Sequence, residues 1–185
     1  SILSPAFFSA KNLSNISRQI SITTIISFGM TMLIISGMID LAAGSVMALA
    51  GILAVACYKA TGSLLISMLA GIVIGIACNI VSGLIVTRFK TPPFIATLAM
   101  MTAARGAALL YTNGQNIYQL DQFVVFGQGD ILGVPTPVIF MVIIAVVTWY
   151  LLNNTRFGRH LYAIGGNEDA ARASGIKVNQ TKMTA

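Results

Sequence analysis

Long uncharged stretches alternate with short polar or basic breaks along this chain: residues 19–39, 41–58, 60–87 and 131–155 contain no Asp, Glu, Lys or Arg. A helix needs about 20 apolar residues to cross the hydrocarbon core of a bilayer, and each stretch reaches or approaches that length. The pattern predicts five spans. The first covers about residues 19–38, and the second runs from the small residues at 43–45 to about 58. The third follows the Thr61-Gly62-Ser63 turn and ends at Thr87. The fourth opens at Pro93, which suits the first helical position because its missing N–H would have no partner there, and reaches about Tyr111. The fifth covers 137–153, with Trp149 and Tyr150 near one end as interface anchors.

The breaks divide the chain into an interfacial lead-in (1–18), a transmembrane region of about five spans (19–153) and a cytoplasmic segment (154–185). The fold class that follows is all-α, a polytopic transmembrane helical bundle. The connection 112–134 carries Asn113-Gly114, Gly127, Gly129 and Asp130. It is longer than usual for a structureless loop, so it is expected to hold a short helix or a docking surface. Ser1 in place of Met, and polar final residues without a cap, lead us to expect a portion of a longer polypeptide.

Composition narrows the class further. With 56% hydrophobic and 9% charged residues, the chain cannot cover an ordinary soluble surface, which takes about a quarter charged side chains. The net charge of +6 does not form a nucleic-acid stripe, because the basic residues sit beside or between apolar runs. Cys57 and Cys78 lie inside such runs without CxxC or Cys/His spacing, and His160 has no partner at ligand or catalytic spacing. There is no phosphate-binding Gly-rich loop, so no ATP chemistry is expected of this chain, and no cofactor, metal site or catalytic residue is assigned.

Basic residues also set an orientation. Arg156, Arg159, Arg172, Lys177 and Lys182 place the tail in the cytoplasm. Alternation then puts Arg88 and Lys90 inside, 112–134 outside, and Asp40 at the inner side or within the membrane. Lys11 and Arg18 fall outside, against the rule.

Four features are candidates for function. Asp40 either faces interfacial water at a tight junction or caps a half-helix at a hinge. Asn79 continues the face of Gly71, Gly75 and Gly83, which suits burial against a neighbouring helix or, alternatively, contact with a solute. Arg105 lies about a dozen residues into an otherwise uncharged span; it faces protein or a cavity, or the span tilts and leaves it near the surface. In the tail, Asn167 can cap a short helix with Glu168 and Asp169 in its first turn, and Gly175 can end it. Glu168 and Arg172 stand four apart in the favourable order. Such a helix either inserts into a groove on a soluble partner or is simply a surface helix.

Several stretches taken together carry a family resemblance: Ile39-Asp40-Leu41 with Gly44-Ser45, Pro92-Pro93-Phe94-Ile95-Ala96-Thr97-Leu98, Thr102-Ala103-Ala104-Arg105-Gly106, and Thr155-Arg156-Phe157-Gly158-Arg159. Strongest is the run from Ala163-Ile164-Gly165-Gly166-Asn167 through Glu168-Asp169-Ala170-Ala171-Arg172 to Ser174-Gly175-Ile176. In order and spacing the chain resembles the membrane permease subunits of bacterial ATP-binding-cassette importers for ribose and related monosaccharides. It departs from the common pattern at Met38 and Ala42, where a glycine and a serine are usual.

The resemblance implies a multi-pass protein of the bacterial cytoplasmic (inner) membrane, representing about the first half to three fifths of such a subunit. It implies a second permease subunit, two soluble ATPase subunits and an extracytoplasmic sugar-binding protein as partners. It also implies that residues 155–176 couple the permease to the ATPase, through Arg156, Phe157, Gly158, Arg159, Gly165, Gly166, Asn167, Glu168, Ala170, Ala171, Arg172 and Gly175. The alternative is an ion-coupled secondary transporter with discontinuous helices around Asp40.

Overall fold

A computed structural model of the chain describes residues 5–115, 117, 127–131 and 133–185. After a 3-10 turn at Pro5–Phe8, five long helices follow: α1 (Ala10–Ile35), α2 (Ala43–Thr61), α3 (Leu64–Arg88), α4 (Pro93–Thr112) and α5 (Thr136–Asn154). All five are long and apolar enough to cross a membrane. A two-residue antiparallel pair, β1 (Asp130–Ile131) with β2 (Val134–Pro135), leads into α5. Three short helices complete the tail: α6 (Arg156–Gly166), α7 (Glu168–Ala173) and α8 (Val178–Thr184). The short helix or docking surface expected within 112–134 falls mostly outside the described residues.

The first helix starts at Ala10, well before residue 19. Lys11, Asn12, Asn15 and Arg18 are polar without being helix breakers, and the Ser9 hydroxyl caps the helix by accepting from the Asn12 N–H at 3.3 Å. Hydrophobicity marked where lipid begins, whereas the helix itself begins at its cap. At the other end, Ser36 and Gly37 close α1, with the Met38 N–H donating back to the Leu33 carbonyl at 2.9 Å.

The helices form two packs. In one, α2 lies against α3 and α4 around Val46, Leu49, Ala104 and Ala108, with Ala42 at its edge. Ala104 and Ala108 are one turn apart, and their small side chains let the α2 and α4 backbones approach closely. On the α3 side, a Cβ at Gly71 would lie 3.3 Å from Ala54 Cβ. The other pack is α1 against α5.

Connectivity fixes which ends lie together. The 36–42 connection, the Arg88–Pro93 turn and the tail share one end, where α6 touches α1 and α5, and α8 touches α3. The 3-10 turn, the α2–α3 turn and the β pair share the other. There Arg18 donates to the Gln128 carbonyl at 2.7 Å and to Asp130 Oδ1 at 3.0 Å. This pairing supplies a local reason for a cation that the charge rule alone would have placed elsewhere.

Candidate functional site

The tail is a folded unit built on the ends of the membrane helices. The Thr155 hydroxyl caps α6 by accepting from the Gly158 N–H at 3.2 Å. Along α6, Gly158, Leu161 and Ile164 are buried, at spacings of three that recur on one face of a helix. Leu161 is 0% exposed. Two glycines on this helix have no room for a side chain: a Cβ at Gly158 would run into the Leu151 and Leu152 carbonyl oxygens of α5, and one at Gly165 into the Ile35 carbonyl oxygen of α1. Hence α6 seats against the last turns of both helices at near-backbone contact. Gly166, next in sequence, faces open space.

Asn167 ends α6 and starts α7, its Oδ1 accepting from the Ala170 N–H at 2.9 Å. The other end of α7 is a Schellman motif: the Gly175 N–H donates to the Arg172 carbonyl at 3.1 Å and the Ile176 N–H to the Ala171 carbonyl at 3.1 Å. Gly175 takes φ +84°, a left-handed conformation that costs glycine little and a branched residue much. The accompanying apolar contact is present, with Ile176 packed against a buried cluster of Ile164, Ala171 and Val178.

Glu168 forms ion pairs within α7 and from α7 to α8. Its Oε1 accepts from Arg172 Nη2 at 3.0 Å and its Oε2 from Lys182 Nζ at 2.6 Å. The hydrogen bond from the Lys182 ammonium lowers the Glu168 pKa below its ordinary 4.5; burial opposes it, and the Lys182 and Arg172 charges add to the lowering.

The residues singled out from sequence distribute as follows. Arg156, Arg159 and Arg172 are exposed, as are Ala170, Gly166 and Asn167; Phe157 and Glu168 are half-buried, and Gly158 and Ala171 are buried. Gly165 and Gly175 keep solvent-accessible surface despite their close or strained backbones. All lie in α6 and α7 or the turn that follows, at one end of the molecule. The whole of α6 and the Lys182 ion pair were not read from sequence. The apolar spacing Phe157, Leu161, Ile164 was the available signal for α6, hidden because Gly158, Gly165 and Gly166 look like helix breakers.

The intramembrane candidates are not brought together at one point. Asp40 lies in the 36–42 connection, three residues before α2 begins, where its Oδ1 accepts from the Ala42 N–H at 2.7 Å. The adjoining Ile39 carbonyl accepts from the Thr97 hydroxyl of α4 at 3.3 Å. Asp40 and Asn79 both line a cleft of about 580 Å³ between α1 and the α2–α3 pair. Asn79 is exposed to this cleft rather than packed on a neighbour, and among the described residues it has no hydrogen-bond partner. The Ser82 hydroxyl lines the same cleft, buried and likewise without a partner among the described residues. The glycine face therefore splits: Gly71 packs on α2, Gly75 borders the cleft, and Gly83 meets Met183 of α8.

Arg105 is exposed in a separate groove between α2 and α4, beside Gly44, Ala48 and Gly51. It has no ion-pair partner among the described residues. On α2, the small residues Gly44 and Ala48 border this open groove. Among the described residues no group of three or more His, Cys, Asp or Glu side chains could hold a metal ion.

Comparisons with known proteins agree with one another. The chain is 44% identical to the ribose import permease protein of Escherichia coli strain K12 over 99% of its own length and 59% of that protein's. It is equally 44% identical to the ribose import permease protein of Bacillus subtilis strain 168, over 99% of the chain and 58% of the relative. The D-allose transport system permease protein of E. coli K12 is 35% identical over 95% of the chain and 55% of the relative. The chain thus spans about three fifths of the length of the curated relatives it matches. No solved structure gives a significant match. Five long apolar helices and this kinship make the chain a multi-pass protein of the bacterial inner membrane. With residues 12–185 matched, the chain belongs to the family described as the branched-chain amino acid transport system, permease component.

Proposed function

We propose that this chain is the greater part of a transmembrane permease subunit of an ATP-driven, binding-protein-dependent importer of a monosaccharide of the ribose type. The observation that carries the reading is the likeness, over 99% of the chain, to permeases named for ribose import. The protein is not itself an ATPase in this reading. Two soluble ATPase subunits hydrolyse ATP, a second permease subunit completes the path, and an extracytoplasmic binding protein delivers the sugar. The ion-coupled alternative has no observation in its favour, since Asp40 is already engaged by the start of α2.

Residues 155–176 are assigned the coupling role, and the lead-in, transmembrane and tail divisions keep their proposed functions of interface, path and coupling. The physical argument is leverage. An importer needs two arrangements of the same helices, one open to each side. A partner that grips α7 through its exposed Ala170 moves α6 with it, because Asn167 joins the two helices directly. Since α6 lies against the Ile35 and Leu152 carbonyls, a push on the tail reaches α1 and α5 with little slack.

The test uses two tail variants of the full-length protein, Gly175→Val and Glu168→Lys. Valine at φ +84° strains the motif that ends α7, and lysine at 168 repels Arg172 and Lys182. Sugar uptake, ATPase activity and membrane protein level are measured in parallel. Uptake is expected to fall several-fold while ATPase activity and protein level hold. Intact coupled transport in both variants would overturn the coupling assignment.

A further inference from the structure

We propose that the tail end of this protein holds a binding site for a phosphate group, filled by the headgroup of an anionic phospholipid of the inner leaflet. The site is a pocket of about 600 Å³ between the α3–α4 turn and the α7–α8 unit. Lys90, Arg172 and Lys182 line it, with Asn179 as a further donor. One carboxylate, Glu168, is also present and accepts from both Arg172 and Lys182. Three cations face one anion, and Lys90 has no ion-pair partner among the described residues. Excess cationic donors converging on a roomy concave surface fit an anion with several acceptor oxygens.

Depth selects the source of that anion. At 1.5 Å per residue, the roughly 30 Å hydrocarbon core takes about 20 residues of helix. Counted from Leu64, the start of α3, this ends near Gly83, so Val86 and Thr87 in the pocket wall lie at headgroup level. The α4 helix gives the same boundary independently: it has 20 residues from Pro93 to Thr112, and Pro93 is in the pocket wall. Phe89, beside Lys90, is 74% exposed at this level, as an interfacial aromatic would be. Basic pockets between membrane helices on the cytoplasmic side suit phospholipid headgroups for these reasons.

Lys90 also has φ +54°, a left-handed backbone that a lysine adopts at some cost. The variant Lys90→Gly therefore removes the charge and keeps the turn, which separates charge from folding. The full-length protein in detergent is titrated with phosphatidylglycerol, with phosphatidylcholine and, in a separate arm, with inorganic phosphate, and bound species are read by native mass spectrometry. Phosphatidylglycerol is expected to bind saturably and in preference to phosphatidylcholine. Affinity should fall about fivefold in Lys90→Gly, which is what one lysine near an anionic surface contributes. A control at the opposite end, Lys59→Gln, should leave it unchanged. Saturable binding of inorganic phosphate that depends on Lys90, without lipid preference, would uphold the phosphate site and overturn its assignment to lipid. Equal binding of both lipids by wild type and Lys90→Gly, with no phosphate bound, would overturn the site itself.

Discussion

The tail and the membrane helices are packed to different standards. Leu161 in α6 is 0% exposed, whereas Leu110 near the end of α4 is 81% exposed, although both are leucines on helices. Within lipid a bare leucine costs nothing, so α1 to α5 can leave their apolar flanks open, whereas Asn79 and Arg105, which lipid would penalise, each line a groove between helices. In water the same exposure is unfavourable, and the tail responds by burying its apolar face against the ends of α1 and α5. A tight fit in water beside loose packing in lipid suits the coupling role proposed for the tail.

Leucine truncation breaks this comparison most directly. Leu161→Ala should cost about 2–5 kcal/mol of tail stability, as for other fully buried leucines. Leu110→Ala should cost a small fraction of that. Amide hydrogen exchange of the full-length protein in detergent, read on peptides from α6–α8 and from α4, checks both. Equal protection losses at the two sites would mean that the tail is no better packed than the spans.

The paired glycines sharpen the comparison within three turns of helix. Gly165→Ala places a methyl group against the Ile35 carbonyl oxygen, which as backbone cannot step aside. Forced overpacking of this kind costs about 1–3 kcal/mol. Gly166→Ala meets nothing within 4 Å and stays within about 0.5 kcal/mol of wild type. Limited proteolysis near residues 155–167 separates the two outcomes, with faster cleavage expected for the first variant alone.

That pair also marks the limit of what the amino-acid order discloses. The five spans were legible because lipid imposes one simple demand, a long apolar run, and the cap at Asn167 and stop at Gly175 were legible because their causes lie within four residues of them. Gly165 was different. Its neighbour across space, Ile35, is remote in sequence, and nothing local distinguishes a glycine needed for close approach from one that breaks a helix. The Lys182–Glu168 pair escaped for the same reason, as did the splitting of the Gly71–Gly83 face between α2, a cleft and α8. The start of α1 at Ala10 lies ahead of the span that begins near residue 19 because polarity at Lys11 and Arg18 marks the end of lipid and not the end of the helix.

A smaller effect is expected at the cap. Asn167→Ala removes the acceptor for the Ala170 N–H and should destabilise α7 by about 1 kcal/mol. Because Asn167 also joins α6 to α7, hydrogen exchange should quicken in α7 while α6, held by Leu161, stays protected. Loss of protection in both helices would show that they unfold as one unit.

The smallest effect concerns Glu168, whose two ion pairs are partly open to solvent, with 41% of its side chain exposed. Its folded pKa lies below the ordinary 4.5, so the folded state binds the proton less readily than the unfolded one does. The stabilisation is therefore fully present above the ordinary carboxylate pKa and is lost as pH falls through the lower, folded value. Solvent screening keeps it within about 0.2–1 kcal/mol for each pair. Tail protection measured in steps from pH 6 downward should weaken only below about pH 4.5. In Glu168→Gln that step should vanish. Molar salt should shrink it in the wild type, because partly exposed charges are screened over about 3 Å at 1 M. A step that persists unchanged in Glu168→Gln would assign the acid sensitivity to another carboxylate and leave the fit of α6 against α1 and α5 as the main force holding the tail in place.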